Sequence, residues 1–128
     1  FNFDQDSNER RITKSIEIVY GLRNFIGNAN KFSKNTIYIN LKSDSEITQI
    51  TIEDDGNGYP NNVLSKIGEP YLKSNNFEDK LKAGLGLGLF IGKTLLEKNF
   101  ASINCRNSKT RSGAEVIIKW NNKDLFNI

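Results

Sequence analysis

The chain has 128 residues and a mass of 14.5 kDa, 37% apolar and 26% charged, which are the proportions of a single domain with room for one hydrophobic core. Eighteen basic residues against fifteen acidic ones leave a net charge of +3, but the bases are scattered and not interleaved with aromatics, so no nucleic-acid partner is expected. With no histidine and one cysteine, an internal Ser-His-Asp triad and an internal disulfide are excluded and a zinc site nearly so; a phosphorylated histidine has to come from another chain or from a further part of this one.

Residues 1–8 read as a frayed or strand-forming entry segment, with Ser7 placed to cap a helix. From Ile12 to about Phe32 the apolar spacing is helical. Val19, Leu22, Ile26 and Ala29, with Phe25 beside them, form a stripe at steps of three and four that Gly21 and Gly27 weaken slightly. Ile37, Ile39 and Leu41 alternate with polar residues as a half-buried strand; Ser43 to Glu46 is a turn, and Ile47 to Asp54 returns as a hairpin partner. Asp55 to Pro60 is dense in turn formers, a short helix is expected around Asn61 to Ile67, and Lys73 to Ala83 is lysine-rich and weakly hydrophobic. Leu87 to about Lys98 reads as a second long helix entered from glycines. Ala101, Ile103 and Cys105 alternate as a strand, as do Ala114, Val116, Ile118 and Trp120, with Ser108 to Gly113 supplying the turn. The longest apolar stretch, Gly84 to Gly92, falls far short of the ~18 residues that span a bilayer, and Phe1 to Asp4 shows no secretory leader. This order of elements predicts an α+β architecture, with helices layered on one face of a mostly antiparallel or mixed sheet.

Three constellations carry chemistry. Asn24, Asn28 and Lys31 stand at i, i+4 and i+7, within roughly 60° of arc on a face away from the apolar stripe. Two amides and an ammonium suit a metal-bound polyphosphate, since an amide oxygen ligates Mg²⁺ and N–H groups bind phosphate oxygens; the same pattern also describes a solvated helix face. In Glu53-Asp54-Asp55-Gly56-Asn57-Gly58, Asp54 shares the parity of Ile50 and Ile52 and points to the buried side at the strand's end. A buried carboxylate needs a donor, which the exocyclic amine of adenine supplies, while Gly56 and Gly58 let the backbone pass beneath a base. The alternative is a hairpin turn with an Asp cap. Asp55 faces the other way, as a solvent-exposed turn residue. Gly84-Leu85-Gly86-Leu87-Gly88-Leu89 opens a helix and presents N–H groups and the positive dipole end to an anion, with neither the dinucleotide-binding nor the Walker spacing.

In this order the three groups resemble the N, G1 and G2 boxes of the Bergerat ATP-binding fold of sensor histidine kinases and of gyrase-type and Hsp90-type ATPases, from about Ile16 to Trp120. The resemblance implies a two-layer α/β sandwich, a mixed sheet with three helices on one face, forming one domain over residues 1–128. ATP would lie between helices and lid. The ATPase branches carry a glutamate as general base four residues before the Mg²⁺-binding asparagine. Here that position is Asn24, an amide that cannot take a proton at neutral pH, so the chain looks like the histidine-kinase branch. Tyr20 to Phe25, Ile67 to Tyr71 and Gly84 to Glu97 look like the redox-responsive RegB/PrrB-type sensor kinases in particular.

Carried over residue by residue, Asn28 resembles the Mg²⁺ ligand and Asn24 and Lys31 resemble phosphate contacts, the three being the candidate catalytic residues. Asp54 resembles the adenine reader, Gly56 and Gly58 the floor of its pocket, and Phe32 an aromatic lining it. Gly84, Gly86 and Gly88, with Leu85 and Leu87 between them, resemble the phosphate-side hinge of the lid, itself about Leu72 to Ala83 and carrying Lys73, Lys80 and Lys82. Tyr71 matches the F-box aromatic. Cys105, on inward strand parity, reads as a core thiol. The implied function is to bind Mg²⁺ and ATP and to transfer the γ-phosphate to a histidine on the kinase's helical dimerisation domain, with a response regulator downstream. This chain is expected to be monomeric and cytoplasmic, and the parent a homodimer anchored in a bacterial inner membrane. A nucleotide-sensing module without transfer and an ATP-hydrolysing switch are the rival readings.

Overall fold

The computed structural model describes residues 2–3, 16–61, 64 and 86–125. Its elements are β1 (Asn2–Phe3), α1 (Ile16–Phe32), β2 (Ile37–Ser43), β3 (Ile47–Asp54), α2 (Gly86–Lys98), β4 (Ser102–Asn107), β5 (Ala114–Asn121) and a single-turn α3 (Asn122–Leu125). The strands form one sheet in the order β1-β2-β3-β5-β4, with β1 parallel to β2 and every other pair antiparallel, so the sheet is mixed as expected. Ser7 and residues 12–15 of the expected first helix lie outside the described residues. So does most of the expected short helix, of which the Leu64 amide donating to the Pro60 carbonyl at 3.1 Å is described. The third helix in the described part is α3, which the sequence did not announce; its Leu125 is fully buried.

Strand alternation places the core. Along β3, Thr48, Ile52 and Asp54 are buried on the helix side, and β5 contributes Ala114, Val116, Ile118 and Trp120 to the same side. Phe25, Ile52, Leu96, Ile118 and Leu125 are fully enclosed, each burial stabilising the fold by about 1.5–3 kcal/mol. The stripe expected on α1 is rotated: the buried residues are Ile18, Gly21, Phe25 and Ala29, while Leu22 and Ile26 pack only partly against the core. The cause is Gly21. A Cβ there would lie 2.6 Å from Leu96 Cγ, and one on Gly92 would lie 3.1 Å from Asn24 Cβ, so the two glycines let α1 and α2 touch backbone to backbone. Glu17 pairs with Lys98 at 3.0 Å, which makes the helices antiparallel. Gly21 is therefore the crossing point of the helices, not a weak spot in one of them.

The end of the sheet near the start of α1 is closed. α2 stops in paired terminal bonds, Phe100 N–H to the Glu97 carbonyl and Ala101 N–H to the Leu96 carbonyl, with Phe100 at φ 71°. Buried Asn122 accepts from Thr48 Oγ1 at 2.6 Å and donates to the Asp44 carbonyl at 2.7 Å, tying α3 to the β2–β3 turn. Among the described residues no helix is long and apolar enough to cross a membrane.

Candidate nucleotide site

At the opposite end the first two constellations and the described part of the third come together. Asp54 ends β3 on the helix side and is 3% exposed. Its Oδ1 accepts the Gly56 N–H at 2.8 Å and the Ala114 N–H at 3.3 Å. Its Oδ2 accepts nothing from any described residue. A carboxylate held by two amides on one oxygen, with no bond from a described residue on the other, is a fixed acceptor with capacity for a further donor.

Close backbone contact builds the frame around it. A Cβ on Gly56 would lie 2.1 Å from the Phe32 carbonyl oxygen, so the turn after β3 rests on the last turn of α1. A Cβ on Gly113 would lie 2.0 Å from the Asp54 carbonyl oxygen and 2.3 Å from Oδ1. No side chain fits at either place. Gly58 has φ +78° and faces Asn107, whose amide brackets the next residue: Tyr59 N–H donates to its Oδ1 at 2.6 Å and its Nδ2 donates to the Tyr59 carbonyl at 3.0 Å. Of the two glycines expected as a floor, Gly56 stands beside the carboxylate and Gly58 against Asn107.

On α1, Asn24 and Asn28 are half-buried and Lys31 is exposed. Asn24 Nδ2 donates to the Tyr20 carbonyl at 3.0 Å; no described residue bonds its oxygen or the Asn28 amide. Because Gly92 lies against Asn24 and Phe25 and the helices are antiparallel, one further turn brings the N-terminal turn of α2, Gly86 to Gly88, level with Asn28. The two amides and the positive end of the α2 dipole therefore border one space. Gly84, Leu85, Tyr71 and the segment from Leu72 to Ala83, with its three lysines, lie outside the described residues. Phe32 is 43% exposed, with the Lys31 ammonium 5.4 Å over its ring, and its carbonyl, not its ring, meets the glycine floor.

Asp55, expected as a solvent-exposed turn residue, also fastens a loop. Its carboxylate accepts N–H bonds from Lys34 at 2.8 Å, Asn35 at 3.1 Å and Thr36 at 3.2 Å, stapling the α1–β2 loop to the end of β3. Those amides, that of Asn35 foremost, hold its carboxyl below the usual aspartate range. Cys105 packs against the core, and burial pushes its thiol up to about 12. Buried Tyr59, bonded to that thiol, is pushed up too, by burial and then by the charges of Cys105 and Asp54. Sequence reasoning missed Asn107, Gly113 and the Ala114 amide, because their parts depend on which strand lies beside β3.

The profile of the histidine kinase-, DNA gyrase B- and HSP90-like ATPases matches residues 13–124 of the chain. The chain belongs to this family. As a member of it, the chain is 36% identical to the sensor histidine kinase RegB of Cereibacter sphaeroides over 90% of its length, and spans 28% of that relative. It is 34% identical to the sensor histidine kinase CssS of Bacillus subtilis over 70% of its length and 18% of the relative's. The fold is that of a mycobacterial sensor histidine kinase, MprB, with TM-score 0.60 and 21% identity, covering 85% of this chain and 72% of that one. Full-length ShkA in complex with AMPPNP superposes with TM-score 0.62 and 22% identity, over 92% of this chain and 24% of that one.

Proposed function

We propose that the Asp54 end of this domain binds ATP and donates its γ-phosphate to a histidine borne by a separate helical segment of a longer sensor kinase. The observation that carries the reading is Asp54: a 3% exposed carboxylate fixed through one oxygen by two backbone amides, whose other oxygen is bonded by no described residue and suits the exocyclic amine of adenine. With the base there, the triphosphate extends toward Asn24, Asn28, Lys31 and the α2 N-terminus. The donor set fits Mg²⁺ better than a softer ion. Among the described residues no cluster of three or more His, Cys, Asp or Glu side chains competes for a metal, and an Asn28 amide oxygen beside phosphate and water oxygens matches that cation's preference for few protein ligands. When bound, the ion would supply charge neutralisation between the β- and γ-phosphates.

Transfer to imidazole agrees with what α1 offers. A neutral ring nitrogen brings its own lone pair, forms the N–P bond as the bond from the γ-phosphorus to the β,γ-bridging oxygen breaks, and releases ADP. No residue has to take a proton from it first. Asn24 stands where hydrolytic relatives place a base, and an amide orients without abstracting. The chain holds no histidine of its own, so the acceptor is external to it. In this reading a dimerisation domain carries the acceptor, a response regulator receives the phosphoryl group from it, and an anchor in the bacterial inner membrane belongs to the rest of the protein. The test is incubation of the chain with γ-labelled ATP and a histidine-bearing helical domain from the same kinase. Label on that domain is expected. Binding of ATP without label transfer would replace the kinase by a nucleotide sensor, and phosphate release alone would make it a hydrolase.

A further inference from the structure

The carboxylate at Asp54 is aimed from behind. The Ala114 N–H that holds its Oδ1 opens β5, directly after Gly113, whose backbone lies against Asp54 too closely for any Cβ. Where the β4–β5 turn sits therefore decides where Oδ1 is held and where Oδ2 points. That turn is not held by apolar packing: Lys109 to Ser112 are exposed, and Ser112 has φ 59°, a left-handed conformation unfavourable for a residue with a side chain. Its fastening lies on the sheet face opposite the helices. Ser108 Oγ donates to Glu53 Oε2 at 2.8 Å and accepts the Arg111 N–H at 3.1 Å, while Ser108 N–H donates to the Gly113 carbonyl at 2.7 Å. Arg111 Nε stands 3.6 Å from the same Glu53 oxygen, and its guanidinium lies 3.5 Å from the centroid of the Tyr38 ring. Tyr38 and Glu53 are cross-strand partners, so the two side chains form one platform.

We infer that Glu53, Arg111 and Tyr38 form a latch that positions Asp54 for base recognition from the far face of the sheet. Glu53 and Asp54 are neighbours in β3 and point to opposite faces; one strand thus carries the reader on one side and the fastening of its support on the other. The guanidinium reaches both platform residues at once, through an ion pair and a stacked ring, which a lysine could not reproduce. None of the three touches the nucleotide, so they are positioning residues, and the inference rests on the base-reading role proposed for Asp54.

The test compares binding of ATP with that of purine riboside triphosphate, which lacks the exocyclic amine, by calorimetry on the 128-residue chain. Wild type is expected to prefer ATP. Arg111→Ala and Tyr38→Leu each loosen the turn, and each is expected to reduce that preference by about tenfold while the amine-free nucleotide binds as before. Lys98→Ala removes a surface ion pair at the other end of the helices and should leave the preference unchanged. A merely structural role would lower thermal stability without moving the ratio between the two nucleotides. Retention of the full preference in Arg111→Ala and Tyr38→Leu overturns the latch alone. If wild type itself binds both nucleotides equally, the base-reading role falls, and the latch with it.

Discussion

Replacing Asp54 by asparagine exchanges one carboxylate oxygen for an NH₂ group and separates the fold from the recognition. The carboxamide has the same size, and its oxygen can take the Oδ1 position, accepting from Gly56 and Ala114 as before. Those bonds lose their charge assistance, which costs the fold about 1–2 kcal/mol. The –NH₂ group then occupies the Oδ2 position and meets the adenine amine donor to donor. Flipping the amide only moves the conflict, because its donors would face the Gly56 and Ala114 N–H groups. The base loses a charge-assisted bond and leaves a buried amine unpaired, together about 3–5 kcal/mol, or some two to nearly four powers of ten in Kd. Asp54→Ala is the contrast, since it also strands two backbone amides and should destabilise the fold. Calorimetry with ATP beside thermal unfolding reads both effects. An Asp54→Asn chain that melts normally and binds ATP within threefold of wild type would refute the assignment of the base pocket.

Gly113→Ala drives a methyl group to 2.0 Å from the Asp54 carbonyl oxygen; overpacking should cost about 1–3 kcal/mol, and ATP binding should weaken with it, measured by denaturant unfolding and calorimetry. Phe100→Gly relieves a left-handed residue that is 64% exposed at the end of α2, and should raise stability by about 1 kcal/mol in thermal unfolding, net of the entropy glycine adds to the unfolded chain. Asp55 has a lowered carboxyl pKa, so the stability it lends is fully present above the unfolded value of about 3.9 and is lost as pH falls through the lower folded value. The amide NMR shifts of Lys34, Asn35 and Thr36 should titrate together below that value, and Asp55→Asn should abolish the shared transition.

Alternation made the sheet legible. Ile37, Ile39 and Leu41 and the set Val116, Ile118 and Trp120 each announce a strand and its inward side, and the parity of Ile50 and Ile52 places Asp54 on the buried face. Spacing on α1 put Asn24 and Asn28 together. Contacts that depend on register were not legible. That Gly113 and Ala114 would flank Asp54 follows from Glu53 pairing with Glu115, which no local pattern encodes. The rotation of the apolar stripe on α1 failed for a related reason: Gly21 scores as a weak helix former, yet its missing side chain is what seats Leu96 of the other helix. The bonds of Asp55 were not legible because its partners lie about twenty residues earlier in the chain.

The placement of polar contacts follows from a conflict between binding and packing. Around the end of β3, Gly56, Gly58 and Gly113 allow close approach to the Phe32 carbonyl, the Asn107 amide and Asp54, and bare backbone contributes no side-chain burial to hold itself in place. The far end is closed by Trp120 and Leu125 in the core and by a helix cap. At the Asp54 end the described residues are fastened by polar clasps that bridge segments distant in sequence: Asp55 to the α1–β2 loop, Asn107 to Tyr59, and Glu53 with Ser108 and Arg111 to the β4–β5 turn. Each clasp fastens backbone without filling the space where a base would lie. Directional bonds can do that where apolar side chains, which hold by occupying volume, cannot.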